Sequence, residues 1–188
     1  MARIISGLLQ KLTPRLYVLN LVILCPSISF KEWDVQPGNE FECVSVLQGH
    51  TQDVKMVQWH PNRDILVSAS YDNSIKVWAE DGDGDDWACT QTLGNSVSGH
   101  TSTLWAVSFN SSRDRMVSCS DDLTLMVWDT SINPAERSGN NGPWKHLCTI
   151  SGYHDRTIFS VHWSKSSLIA SGASDDCIRL FSEKHCNF

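Results

Sequence analysis

Residues 49–78 read GHTQDVKMVQWHPNRDILVSASYDNSIKVW, and this stretch decides the fold. Gly49-His50 opens it and Trp78 closes it. Between them lie three short apolar runs, Val54–Trp59, Ile65–Ser70 and Ser74–Trp78. His60-Pro61-Asn62 and Tyr71-Asp72-Asn73 separate the runs. Both are turn-forming combinations, because Pro presets one backbone angle and Asn and Asp tolerate left-handed conformations. Runs this short, rich in Val, Ile and Trp, read as β-strands and not as helices.

The pattern then repeats. Gly99-His100 reopens it, and so does Gly152-Tyr153-His154, with one inserted residue. An aromatic stands nine positions after each His, at Trp59, Phe109 and Trp163. An Asp follows 22, 22 and 21 positions on, at Asp72, Asp122 and Asp175. A closing aromatic follows 28, 28 and 27 positions on, at Trp78, Trp128 and Phe181. A fourth apolar run precedes each Gly-His: Phe41–Leu47, Trp87–Leu93 and Trp144–Ile150. Self-similarity at a fixed spacing marks a stacked array. Four short antiparallel strands with Gly-His and Trp-Asp marks resemble the blade of a WD40 β-propeller. The resemblance implies an all-β fold and an incomplete propeller, about three of seven blades. The spacings of 50 and 54 residues, His to His, exceed the family's usual period. The excess falls in the loops Ala79–Asp86, Asn95–Ser98 and Asp129–Pro143.

Two regions follow from this. Residues 31–188 form the repeat region, with the end of one blade at Trp33-Asp34 and units starting at 49, 99 and 152. Residues 1–30 are atypical and apolar, and are read as lying outside the propeller. There Arg3, Lys11 and Arg15 precede the run Leu16–Leu24 and then Cys25-Pro26-Ser27, in the manner of a signal peptide. The run is too short to span a bilayer as a helix. Because Trp33-Asp34 closes a blade whose earlier strands are replaced by unrelated sequence, a truncated start is the favoured expectation over a signal or an extension.

Composition narrows the function. A net charge of −6 without a basic run argues against a nucleic-acid surface. Seven cysteines, at 25, 43, 89, 119, 148, 177 and 186, include no Cys-x-x-Cys pair. Most sit in strand-like runs as small hydrophobes, which suits a reducing compartment.

Three constellations invite chemistry. Ser68, His50 and Asp72 supply the residue types of a nucleophilic triad, but the trio recurs as Ser118, His100, Asp122 and as Ser171, His154, Asp175. An active site occurs once, whereas scaffolding repeats. The reading is therefore a structural hydrogen-bond chain across the strands, reaching Trp78 and Trp128, and weaker in the third unit, where Phe181 has no indole N–H. The loop Asp81–Asp86 alternates Asp and Gly but lacks Gly and Glu where a calcium loop needs them, and reads as a solvated acidic loop. Cys43, Cys89 and His146 share one position in successive units, which splays them apart and does not gather them for a metal. No cofactor, no metal and no catalytic residue is expected.

Longer stretches narrow the family. Phe41–Leu47, His50–Lys55, Ser68–Asp72, Asp85–Trp87, Ser118–Asp122 and Cys148–Ile158 together resemble the WD40 subunit of the cytosolic iron–sulfur protein assembly machinery, in register over about residues 31–182. The resemblance implies a non-catalytic interaction scaffold that joins a cluster carrier to a targeting subunit and delivers clusters to apoproteins. It implies protein partners, no nucleic acid, no membrane, and location in the cytoplasm, with the nucleus as a second compartment. The family's partner-binding face would then be lined by Tyr71, Asp121 and Ser174, by Asp53, Thr103 and Thr157, and by Lys55, Trp105 and Phe159. The same side chains also suit ordinary packing inside the channel. The alternative functions are a generic WD40 adaptor, in ubiquitin ligation or chromatin, and a non-functional truncated product. Three blades with an apolar last strand, Ile178–Phe181, are expected to self-associate or be insoluble, because an unclosed ring leaves strand edges bare.

Overall fold

The structure, a computed structural model, describes residues 29–36, 40–80, 87–94, 99–132 and 143–182, with side chains from residue 45 onward. The acidic loop 81–86 and most of residues 1–30 lie outside the described residues. Every described element is a strand. The first pair is β1 (Ser29–Gln36) and β2 (Glu40–Gln48), so β1 begins two residues before the boundary read from sequence. Then come β3 (Val54–Trp59), β4 (Ile65–Ser70), β5 (Ile75–Glu80) and β6 (Trp87–Leu93). They are followed by β7 (Leu104–Phe109), β8 (Arg115–Ser120), β9 (Leu125–Asp129) and β10 (Lys145–Ile150). The last are β11 (Ile158–Trp163), β12 (Leu168–Ala173) and β13 (Ile178–Ser182).

These strands form four antiparallel sheets: sheet I (β1-β2), sheet II (β3-β4-β5-β6), sheet III (β7-β8-β9-β10) and sheet IV (β11-β12-β13). The run before each Gly-His therefore closes the sheet of the preceding unit. Sheet II ends with β6, which stands just before Gly99-His100, and sheet III with β10, just before Gly152. The chain thus builds two full blades, three strands of a third and an outer pair of another, a partial β-propeller.

The turns explain the strand ends. The tight turn between the second and third strand of sheets II, III and IV places one residue at positive φ: Asn73 at 64°, Leu123 at 67° and Asp176 at 60°. Asn and Asp visit this region readily. Leu does so at a cost, since its Cβ crowds the following carbonyl. Ahead of the turns, the Asp carboxylate takes up backbone N–H groups, as in Ser74 N–H to Asp72 and Thr124 N–H to Asp122, both 3.0 Å.

The core lies between the sheets. Ile65, Val67, Ala69, Ile75 and Val77 of sheet II meet Leu104, Val107, Phe109 and Met116 of sheet III. Val117, Cys119, Leu125 and Val127 of sheet III meet Ile158, Val161, Trp163 and Phe181 of sheet IV. Both faces of sheet III are thus covered, and its middle strand β8 is buried from Met116 to Ser120. Polar ties cross the same seams. Gln91 on β6 donates to the Trp144 carbonyl and accepts its N–H, both at 2.9 Å, imitating one more rung of backbone pairing between neighbouring sheets. Arg63 spreads its guanidinium over the carbonyls of Thr130, Ser131 and Ile132 at 2.7–3.1 Å.

Candidate functional site

One polar chain recurs in sheets II, III and IV. In sheet II the Trp78 indole N–H donates to Ser68 Oγ at 2.8 Å. The Ser68 hydroxyl lies 2.6 Å from His50 Nε2, and His50 Nδ1 lies 2.8 Å from Asp72 Oδ2. The Asp72 carboxylate can only accept, so Nδ1 carries a proton, and in that tautomer Nε2 accepts from the Ser68 hydroxyl, whose oxygen takes the indole N–H. The donors run one way, from Trp to Ser to His to Asp. Sheet III has the same chain: Trp128 to Ser118 at 2.9 Å, Ser118 to His100 at 2.8 Å and His100 to Asp122 at 2.8 Å. In sheet IV, His154 meets Ser171 at 2.7 Å and Asp175 at 2.8 Å, while Phe181 supplies no indole donor.

The electrostatics follow from these contacts. Burial pushes the Asp72 carboxyl up, but bonds from His50, Ser74 and the Thr51 N–H outweigh it and hold the group well below the usual carboxylate range. The same balance brings Asp122 down to about 2, with Thr124 in the place of Ser74. Asp175 is also lowered: desolvation opposes the shift, and His154 and the N–H groups of Cys177 and Asp155 drive it. Ser68, Ser118 and Ser171 are at most 1% exposed, so no substrate reaches their hydroxyls. A nucleophile needs an approach path, and these hydroxyls have none.

The other chemical readings also meet geometry. His146 bonds Thr149 at 2.9 Å and sets its ring edge against Trp128 at 5.5 Å. Cys89 faces Gln91 and Thr92, and no three metal-binding groups converge among the described residues. Cys89, Cys119 and Cys177 are free thiols, and burial pushes Cys119 up to about 12. Cys148 departs from the sequence reading of free cysteines. It is disulfide-bonded, to a cysteine whose side chain lies outside the described residues.

The positions assigned to partner binding fall together. In each sheet two of them are tied by a backbone bond: Tyr71 N–H to the Asp53 carbonyl at 2.9 Å, Asp121 to Thr103 at 3.0 Å and Ser174 to Thr157 at 2.9 Å. The third set carries a feature that sequence reasoning missed. The pairing of the first two strands slips by one between Val54 and Met56, between Leu104 and Ala106, and between Ile158 and Ser160. Lys55, Trp105 and Phe159 are the extra residues. A bulge re-aims the side chain it carries and recurs at functional places. Here it brings three sheets together in one row. Tyr71 meets Trp105 edge to face at 6.0 Å between ring centres, and Trp105 meets Phe159 at 5.0 Å. The Lys55 ammonium lies 4.3 Å from the Tyr71 ring centre and 5.6 Å from that of Trp105, and 3.3 Å from Asp53. The Trp105 indole donates to Asp121 at 2.7 Å, which fixes its orientation. Tyr71 and Phe159 remain 41% and 47% exposed. Thr103 is buried, and its side chain is not offered to solvent.

Four-stranded sheets stacked face to face, each stitched by a Trp-Ser-His-Asp chain, define a β-propeller of the repeat-blade kind. The family model "WD domain, G-beta repeat" matches residues 41–79, 87–129 and 144–182, and the chain belongs to that WD40 family. Curated relatives carry a narrower name. The chain is 68% identical over 104 residues to "Protein CIA1" of Arabidopsis thaliana, covering 55% of this chain and 29% of that protein. It is 38% identical over 138 residues to the "Probable cytosolic iron-sulfur protein assembly protein CIAO1 homolog" of Ixodes scapularis, covering 73% of this chain and 40% of that protein. A homologue of the same name from Nematostella vectensis is 62% identical over 47 residues, 24% of this chain and 14% of that protein. The chain thus spans well under half the length of these relatives.

Proposed function

We propose that the chain contributes its blades to a non-catalytic scaffold for iron–sulfur protein assembly in the cytosol, with the nucleus as a second site. In this reading it holds a cluster carrier and a targeting subunit together, so that clusters reach their apoproteins. The observation that carries the role is the 68% identity over 104 residues to a CIA1 protein. The row Tyr71–Trp105–Phe159 supports the docking surface, with Asp53, Lys55, Asp121, Thr157 and Ser174 around it. Large aromatics held rigid by neighbours, with part of each ring still exposed, are the residues that dominate binding energy at protein interfaces. The Trp-Ser-His-Asp chains hold the strands that present this row.

The test is affinity purification of the tagged chain from cells, beside the double variant Tyr71→Ala/Phe159→Ala. The chain is expected to bring down iron–sulfur assembly proteins. The double variant should lose them by at least about tenfold, since truncating a hot-spot aromatic costs more than about 1 kcal/mol. Recovery of ubiquitin-ligase components or histones instead would replace this reading with that of a general adaptor.

A further inference from the structure

Charge is divided between the two ends of the strands. The aromatic row stands at the end where β3, β7 and β11 begin and where the second and third strands of sheets II, III and IV are joined. Among the described residues, the turns at this end carry seven carboxylates and one arginine, Arg156. Asp72, Asp122 and Asp175 are engaged in the polar chains. Asp53, Asp121, Asp155 and Asp176 lie outside those chains. At the opposite end the short turns 60–64, 110–114 and 164–167 hold Arg63, Arg113 and Lys165 against Asp64 and Asp114. The row therefore stands among carboxylates, and this holds within sheets II and III alone.

One cation is already seated there. Lys55, turned by its bulge, holds its ammonium 4.3 Å from the Tyr71 ring centre, 5.6 Å from that of Trp105 and 3.3 Å from an Asp53 oxygen. Two rings and a carboxylate around one ammonium are the parts of a cation site, since the ring quadrupole and the carboxylate both attract positive charge. All four residues belong to sheets II and III. Beside them Asp121 accepts the Trp105 indole through Oδ1 at 2.7 Å, and its Oδ2 bonds no described residue. Lys55 is matched by Asp53, so an acidic segment arriving here would meet Asp53, Asp121 and Asp155 with no unpaired lysine to oppose them.

We infer that these residues form a recognition site for a cationic side chain on a basic segment of a partner protein, and that Lys55 is the resident cation it displaces. Arginine suits the site best. Its planar guanidinium covers an aromatic face and still presents N–H groups in its plane to a carboxylate, which an ammonium does not. Laid on Trp105, it has the free Asp121 oxygen beside that ring, and Lys55 gives up the shared ring while keeping Asp53. The partner is a protein and not a nucleic acid, because a chain of phosphates would meet the same carboxylates with repulsion. Lys55 then sets a threshold, since a partner must supply a better cation than the one in place. The inference rests on the proposed reading of the row as a docking surface and adds the chemistry of what docks.

Fluorescence anisotropy tests it, with the full chain at physiological ionic strength and labelled Gly-Ser peptides that carry either arginines or glutamates at the same places. The arginine peptide is expected to bind and the glutamate peptide is not. Lys55→Gln should tighten the arginine peptide by about two- to fivefold, the worth of one exposed cation–π contact. Lys165→Gln makes the same change of charge at the opposite end and should leave the affinity as it was. Asp121→Asn keeps an acceptor for the Trp105 indole but loses the charge, and should weaken binding by about fivefold, whereas Asp64→Asn should not. A gain in affinity cannot come from damage to the fold, so Lys55→Gln decides the question even if Asp121→Asn disturbs its surroundings. No binding of the arginine peptide, weaker binding by Lys55→Gln, equal tightening by Lys165→Gln or a preference for glutamate would each overturn the inference. If the arginine peptide fails while the chain still brings down assembly proteins and loses them in Tyr71→Ala/Phe159→Ala, the docking surface stands and only the chemistry inferred here falls.

Discussion

His60 sets a pH dependence that can be worked out from the structure. The residue follows β3 and is 3% exposed, with its ring edge against Phe109 at 4.9 Å and Trp144 at 6.3 Å. Its Nε2 donates to the Arg113 carbonyl at 3.1 Å. Burial, with Arg63 and then Arg113 nearby and only the carbonyl bond opposing, lowers its pKa from 6.5 to about 4. The folded protein thus holds a neutral imidazole where the unfolded chain takes up a proton. The stability this neutral state carries is complete above pH 6.5 and is lost as pH falls from 6.5 towards 4, because the unfolded state binds more protons there. The difference between 6.5 and about 4, at about 1.4 kcal/mol per pH unit, amounts to roughly 3–4 kcal/mol. Asp72 and Asp122 stay out of this window. Their folded values lie below 3.8, so their contribution is lost only under more acidic conditions. Sheet III carries Asn110 at the corresponding place, which makes His60→Asn the natural variant. It should be less stable at neutral pH, having lost ring packing, yet clearly shallower than the wild type from about pH 7 to about pH 4.5, with His146, whose pKa burial also lowers, supplying part of the slope that remains. Urea unfolding at fixed protein concentration, stepped through that range, reads the slope. Equal slopes for the variant and wild type would refute the reasoning.

Other outcomes follow from single contacts. Ser68→Ala and Ser118→Ala each strand a buried imidazole nitrogen and a buried indole, and should cost about 3 kcal/mol in urea unfolding, whereas Ser171→Ala strands only the imidazole and should cost about half as much. Leu123→Asn relieves a left-handed residue, as Asn73 and Asp176 already do, and should raise stability by about 1 kcal/mol, measured by thermal melting. Of the free thiols, Cys89 is exposed and should react with a maleimide in the folded state, while Cys119, buried and shifted to about 12, should react only after unfolding.

The parts of the fold legible in the sequence are those where chemistry restricts residue choice. The turn needs Asp to gather N–H groups, the chain across the strands needs Ser at a constant offset from that Asp, and the Gly-His and Trp marks repeat on a common spacing. Strands flanked by sheets on both faces announce themselves as continuous apolar runs. The features that stayed hidden depend on backbone geometry or on distant partners. Lys55, Trp105 and Phe159 stand at one repeated position in the sequence, but only the strand register shows that each is the extra residue of a bulge. Thr103 looks like Thr157 in sequence but is buried, whereas Thr157 is only part-buried. The Gln91–Trp144 pair and the three carbonyls under Arg63 join residues more than fifty positions apart and carry no local signature. Cys148 gives no sign of its disulfide either, since it sits in an ordinary strand run.

The last strand of each full blade is encoded after a long loop, just ahead of the next Gly-His, and this sets an order of events during synthesis. As the chain leaves the ribosome, β3, β4 and β5 emerge with the outer edge of their sheet open, and it stays open until Trp87–Leu93 has been made. By the time β10 seals the next sheet, β11 has yet to appear. The nascent chain hands one raw edge forward from blade to blade, and neighbouring chains on the same message carry the same edge at the same register. A pause in translation between β5 and β6, or between β9 and β10, is therefore the moment at which two growing chains are best able to pair with each other and not with themselves.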